Sequence, residues 1–330
     1  MIVHPDRQAA LRAPRADQAP GPVAETTRLV ARLTDRDRWI LRMLYEHRVL
    51  TTHQLAALAF PTLKIARRRL ALLHRYRVVD RFRPLRTRGS APSHWVLATA
   101  GAAVLAAEAD TDLRTLRYRP RHALNIAHSL HLAHTIGVND WFTALATTAA
   151  RQNAQLLAWW SEGRCYRLWG DLTRPDSFGR YTAPGALLDF FLEYDLGSTR
   201  LTRVAAKLLG YAELARTTGV ITPVLVWVPT HSRETTARHA LRDTAAALPD
   251  PGAVPVATAA ADLLDPTTAQ PSPADRVWLP LDSTGTGRVH LHELTTVWPR
   301  RTPPPESLDT EPSVVCGQML PAPPPMFQSR

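Results

Sequence analysis

Lysine is nearly missing from this chain. Of forty basic residues only Lys64 and Lys207 are lysine. The pattern looks like a high-GC coding bias in which arginine serves wherever a generic cation suffices, so the two remaining lysines stand out. Cysteine is equally scarce. Cys165 and Cys316 are far apart and match no metal-ligand spacing, which suits a reducing cytoplasm. No run of about 18 apolar residues occurs, so nothing is expected to span a membrane. The N-terminus lacks an apolar secretion core, and no internal repeat is visible. These absences predict a cytoplasmic protein with no membrane partner.

What is present points elsewhere. The 330 residues suggest two domains, and 45% apolar content suffices for packed cores. The net charge is +11, and it is localised. Residues 34–95 hold fourteen Lys or Arg against four Asp or Glu, a net +10 that leaves the remainder near neutral. A localised positive field is the footprint of a polyanion partner. A membrane surface fits poorly, because no long apolar face accompanies the charge.

The charge centres on Thr62–Arg77, TLKIARRRLALLHRYR. At 100° per residue, Leu63, Ala66, Leu70 and Leu73 fall on one helical face, and Lys64, Arg67, Arg68 and Arg75 on the other. Such a helix fits the major groove of duplex DNA, where arginine pairs bidentately with guanine. Its surroundings predict a helix-turn-helix. Thr34 and Asp37, then Thr51 and Gln54, stand at capping-box spacing and open two helices. Phe60-Pro61 ends the second, because the residue before proline leaves the α region. Residues 78–82 and 94–97 read as a returning hairpin, a wing carrying Arg81, Arg83, Arg86 and Arg88 toward phosphates or a minor groove.

Beyond the wing, residues 99–109 read as a helix, 113–122 as a basic connector and 127–152 as the longest helix. His128, His131 and His134 drift across that helix and lack partner ligands, so packing is the better reading than metal. Strands are expected at 156–160, 166–169, 186–195, 223–229 and 254–258, and helices at 199–217 and 232–248. Residues between Asp176 and Ala186 read as a loop or hairpin. This order predicts an α/β layer.

Asp176, Glu193 and Asp195 could converge at one sheet edge. Clustered carboxylates beside a lysine can hold Mg²⁺ and activate water for phosphodiester cleavage, while two acids ending a strand can equally be solvated. Pro175-Asp176 followed by an apolar strand ending Glu193-Tyr194-Asp195 resembles the PD-(D/E)xK restriction-endonuclease-like nucleases. That resemblance implies that Asp176 and Glu193 bind metal. Asp195 stands where the family's lysine would be, and Lys207 lies on the following helix, where some members carry it. A wider order, Leu33-Thr34-Asp35-Arg36-Asp37, His128, Val138-Asn139-Asp140, Trp160-Ser161-Glu162, Pro175-Asp176, Glu193-Tyr194-Asp195 and Lys207-Leu208-Leu209-Gly210-Tyr211, resembles the replication-relaxation family over about residues 30–230. These are proteins of Gram-positive bacteria, their plasmids and phages. The resemblance implies replication or copy-number control of a mobile element.

The expectation is therefore an α+β or α/β chain. It has an N-terminal arm (1–30), a winged helix-turn-helix (31–110), a basic linker (111–126), an endonuclease-like α/β domain (127–298) and a proline-rich tail (299–330). Double-stranded DNA is the expected partner, with replication or DNA-transfer proteins and a second copy of the chain as further candidates. Three readings stand: a replication regulator with a nuclease-like domain, a nickase requiring Mg²⁺ or Mn²⁺ in which Asp176, Glu193, Asp195 and Lys207 are catalytic, and a transcriptional regulator or adaptor.

Overall fold

The computed structural model describes residues 29–85, 90–119, 125–129, 131–282, 287–298, 301–302 and 322–323. Arg86, Arg88, Gly89 and most of the expected arm and tail lie outside them. The chain forms two compact units that divide between Asp140 and Trp141. Mixed α and β content matches the expected class.

In the first unit both capping boxes form. Ahead of α1 (Asp35–His47), Thr34 Oγ1 accepts from the Asp37 amide at 3.3 Å, and the Asp37 carboxylate accepts from the Thr34 amide at 2.8 Å. Ahead of α2 (Thr52–Ala59), Thr51 and Gln54 exchange the same bonds at 3.1 and 2.7 Å. α3 (Leu63–Arg75) follows one short turn later. Ile40, Leu41, Leu55, Ala66, Leu70 and Leu73 are fully buried. Each leucine or isoleucine among them contributes roughly 1.5–3 kcal/mol.

A three-stranded antiparallel sheet completes this core. β1 (Leu50–Thr51) lies beside β3 (His94–Leu97), and β3 beside β2 (Val79–Phe82), with Val79 opposite Leu97 and Leu50 opposite Trp95. β1 was not anticipated, since two residues carry no periodicity. α4 (Thr99–Glu108) then packs on the hairpin through Gly101. A Cβ built there would lie 2.1 Å from the Val78 carbonyl oxygen, so only glycine allows this approach.

The expected linker belongs to the first unit. Leu116 is fully buried, Tyr45 donates its hydroxyl to the Leu116 carbonyl at 2.7 Å, and Tyr118 donates to the Leu97 carbonyl at 2.9 Å. Ile126, Ala127 and Leu132 pack with Val49, Phe82 and Val96. Asn139 Nδ2 donates to the Val49 carbonyl at 2.7 Å, and Gln54 Nε2 to Asp140 at 2.7 Å. These long-range contacts place the division at 140/141 rather than at 126/127. The helix expected at 127–152 is a 3₁₀ turn, Ile126–His128, and then α5 (Leu132–Ala149).

The second unit is a six-stranded mixed sheet in chain order: β4 (Gln155–Ser161), β5 (Ser177–Ala183), β6 (Ala186–Tyr194), β7 (Val224–Val228), β8 (Val256–Ala260) and β9 (Leu279–Pro280). β4, β5 and β6 are antiparallel, and β6, β7 and β8 are parallel. The parallel pairs need crossovers, supplied by α7 (Leu201–Thr218) and α8 (His231–Ala246). A short α9 (Leu294–Val297) follows β9.

One sequence reading is corrected here and another is resolved. Residues 166–169 are not a strand but the end of α6 (Glu162–Trp169), which Ser161 caps by accepting from the Arg164 amide. Capping serine followed by an acid outweighed the short aromatic run. The segment after Asp176, read as a loop or hairpin, is the hairpin: β5 turns at Pro184-Gly185 into β6. Its Gly179 suggested a break, yet a Cβ there would lie 2.4 Å from the Phe190 ring. The glycine makes room for a neighbouring aromatic inside a continuous ladder.

Strand alternation sorts the core into two faces. Phe191, Val224, Val226 and Val228 share a cluster with Leu208 and Tyr211 of α7 and Leu241 of α8. Phe190 and Trp227 instead meet Trp141, at ring separations of 5.8 and 6.2 Å. Among the described residues no helix is long and apolar enough to cross a membrane.

Candidate functional site

Lys64, Arg67, Arg68 and Arg75 are all exposed on α3, opposite its buried Ala66, Leu70 and Leu73. Arg69 behaves differently. Its Nε donates to the fully buried Asp37 at 2.8 Å and a second nitrogen pairs with the same carboxylate. That bond, chiefly, raises the Arg69 pKa. One cation is thus spent inside the unit, tying α3 to the start of α1, and four remain outside.

The hairpin continues this surface. Arg81 is exposed with its guanidinium 5.6 Å from the Trp95 ring centre, and Arg83 Nε donates to Ser93 Oγ at 3.0 Å, bracing one strand against the other. A groove of about 410 Å³ lies between these elements, lined by Thr52, His53, Arg67, Arg81, Arg83 and Trp95 among others. α3 and the hairpin therefore present arginine to one shared concavity. Arg86 and Arg88 fall outside the described residues.

In the second unit the β5–β6 register sets the geometry. Ser177 pairs with Leu192, so Asp176 stands one step further, opposite Glu193. The Asp176 amide donates to the Leu192 carbonyl at 3.1 Å, and its Oδ2 accepts from the Tyr194 amide at 2.8 Å. Alternation along β6 aims Glu193 at α7, as it does Phe191. There Lys207 and Tyr211, four residues apart, share one helical face. Lys207 Nζ donates to Glu193 Oε2, to Asp176 Oδ1 at 3.3 Å and to the Arg174 carbonyl at 3.2 Å. Tyr211 donates its hydroxyl to Glu193 Oε1. Asp176, Glu193 and Lys207 therefore converge. Tyr211 joins them unanticipated, although its spacing from Lys207 was a usable signal.

Asp195 does not join this cluster. It pairs with Arg233 of α8 and accepts from the Gly197 amide at 2.9 Å. β6 ends at Tyr194, so strand alternation no longer governs the side chain one residue later. The Arg233 partner, far along the sequence, could not be read from local spacing.

Two like-charged groups directly opposite each other on a sheet repel. Glu193 is only 4% exposed. Burial first, and then the charge of Asp176, push its carboxyl up to about 8, with Lys207 and Tyr211 acting in the opposite sense. Burial pulls Lys207 down, but Glu193 and Asp176 outweigh it and hold the ammonium above its ordinary value. Tyr211 is also raised, by burial and the neighbouring carboxylates.

A divalent ion, which the nuclease resemblance implies, does not fit this arrangement. Both Glu193 oxygens and both Asp176 oxygens already accept bonds from within the unit. The ammonium bridges the two carboxyls at the place a bridging ion would need. Among the described residues, no group of three His, Cys, Asp or Glu side chains is placed to hold a metal.

The raised Glu193 pKa has a testable sign. The folded state keeps this proton to about 8, whereas the unfolded chain loses it near 4.5. The stability from this proton is complete below 4.5 and is lost as pH rises toward 8. Urea midpoints across this window should show wild type losing stability relative to Glu193→Gln as pH increases. The opposite slope would mean that Glu193 is ionised and stabilised as a carboxylate.

Fold and site together define an α+β protein of two units, one carrying an exposed basic helix and hairpin, the other a mixed sheet with a carboxylate–lysine cluster. The chain belongs to the replication-relaxation family, whose model matches residues 41–225. The matched span contains α3, the hairpin, Asp176, Glu193, Lys207 and Tyr211. No characterised protein and no solved structure matches the chain.

Proposed function

We propose that this protein binds duplex DNA through a winged helix-turn-helix and acts in replication or copy-number control of a plasmid, phage or other mobile element. The observation that carries this reading is the exposed cationic face of α3, Lys64, Arg67, Arg68 and Arg75, beside the arginine-bearing hairpin. α3 lies in the major groove as the recognition helix. The hairpin is the wing, with Arg81 and Arg83 on the backbone. Family membership supports the replication role.

The full-length protein should bind duplex DNA with an affinity that falls steeply with salt, since each neutralised phosphate releases counterions. Arg83→Ala should weaken binding to all sequences alike and flatten the salt dependence, because phosphate contacts position the protein without reading bases. Salt-insensitive affinity, or none for any duplex, would exclude the reading. A changed sequence preference in Arg83→Ala would reassign the wing to base recognition.

A second reading, a metal-dependent DNA nickase, draws support from the convergence of Asp176, Glu193 and Lys207. It requires cleavage of supercoiled or single-stranded DNA that appears with Mg²⁺ or Mn²⁺ and disappears in Glu193→Gln. The first reading is preferred, because the carboxyl oxygens are already engaged and Asp195 is committed to Arg233.

A further inference from the structure

We infer that Lys207 is the resident cation of the Asp176–Glu193 site, an internal ammonium that takes the place of a divalent ion and keeps the site closed to metal. This rests on the preferred reading, in which the second unit does not cleave DNA.

The argument starts from the sheet. The β5–β6 register sets two carboxyl groups opposite each other at one end of the hairpin, and Glu193 is almost completely buried. Such a pair needs a compensating positive charge, because the cost of holding an unpaired charge away from water is several kcal/mol. Two kinds of cation could supply it. A divalent ion would bridge one oxygen from each carboxyl and fill its remaining positions with water. An ammonium bridges one oxygen from each and needs only one further acceptor to use its three protons. The Arg174 carbonyl is that third acceptor, so the Lys207 ammonium is fully satisfied by Glu193, Asp176 and Arg174.

The remaining carboxyl oxygens are closed by separate devices. Tyr211 covers Glu193 Oε1 and the Tyr194 amide covers Asp176 Oδ2. A metal entering beside the ammonium would have to compete with these donors, and with the ammonium's own charge, for the same four oxygens. The use of lysine fits this role. A compact ammonium directs its three protons along separate bonds, whereas a planar guanidinium spreads its charge over a fork too broad for this gap. In a chain that otherwise writes nearly all its cations as arginine, the requirement for an amine explains one of the two exceptions.

Titrating Mn²⁺ into the full-length protein and into Lys207→Met tests this directly, with metal binding read by electron paramagnetic resonance and by melting temperature. Wild type should show no saturable Mn²⁺ binding at this site. Lys207→Met should melt at a lower temperature in chelator and recover part of the loss as Mn²⁺ occupies the vacated position. Adding Glu193→Gln to that variant should abolish the recovery. Saturable binding to wild type that Glu193→Gln removes would overturn the inference, as would a folded Lys207→Met that gains no Mn²⁺ affinity. Should Lys207→Met fail to fold, the wild-type titration still decides, because the proposal forbids metal there. Duplex affinity of the same samples keeps the two questions apart. Loss of the DNA-binding reading would appear as absent salt-sensitive binding, whatever the Mn²⁺ result.

Discussion

Changing Arg67 and Arg68 together to alanine should lower duplex affinity by roughly 2–6 kcal/mol, about thirtyfold to twenty-thousandfold, if each reads a base. The two side chains are exposed on a helix whose opposite face is fully buried. Removing them leaves the core intact, and alanine is the best helix former, so α3 should not unravel. The melting temperature should therefore stay near that of wild type while binding collapses. Arg69 is the internal contrast. It is adjacent in sequence but holds the buried Asp37, so Arg69→Ala should cost stability by stranding a carboxylate. Equal effects of Arg67→Ala, Arg68→Ala and Arg69→Ala on affinity, with stability unchanged, would show that α3 is a uniform polyelectrolyte patch rather than a reading helix.

Gly101→Ala should be the most damaging single methyl group in the first unit. Its Cβ would lie 2.1 Å from the Val78 carbonyl oxygen and 2.8 Å from Leu97 Cδ1. Neither can yield easily. The Val78 oxygen accepts from the Ala98 amide at 3.2 Å, and Leu97 is buried within β3. Overpacking of a closed core costs about 1–3 kcal/mol, and contact with backbone lies at the upper end or beyond. Alanine's better helix propensity returns only about 1 kcal/mol of that. The variant should unfold at a lower urea concentration and lose duplex affinity with the hairpin. A stability equal to wild type would mean that α4 sits further from the sheet than described.

Local chemistry was readable from the sequence; long-range chemistry was not. Thr34 with Asp37 and Thr51 with Gln54 act within three residues, so their capping boxes were visible before any tertiary contact. Periodicity likewise separated the buried and exposed faces of α3. The limits appear wherever the partner is remote. Nothing near Gly179 announces the Phe190 ring, so the reading there stayed open between loop and hairpin. Nothing near Leu116 or Ile126 announces their packing, so a buried segment read as a linker. β9 depends on pairing with β8 across a long connection. In the cluster, Asp176 and Glu193 were legible as acids flanking strands, and Lys207 by its rarity. Asp195 was misplaced because the end of β6 and the reach of Arg233 decide its direction, and both are tertiary facts.

The chain's two side-chain amines sit in opposite chemical circumstances. Lys64 projects from α3 into solvent, whereas Lys207 is clamped by two carboxyls with its proton held tightly. Acylation needs the unprotonated amine with its lone pair exposed, so an acetyl donor at neutral pH should find Lys64 and pass over Lys207. Because arginine is inert to such donors, one acetyl group would subtract a single charge from α3 and leave the rest of the basic surface untouched.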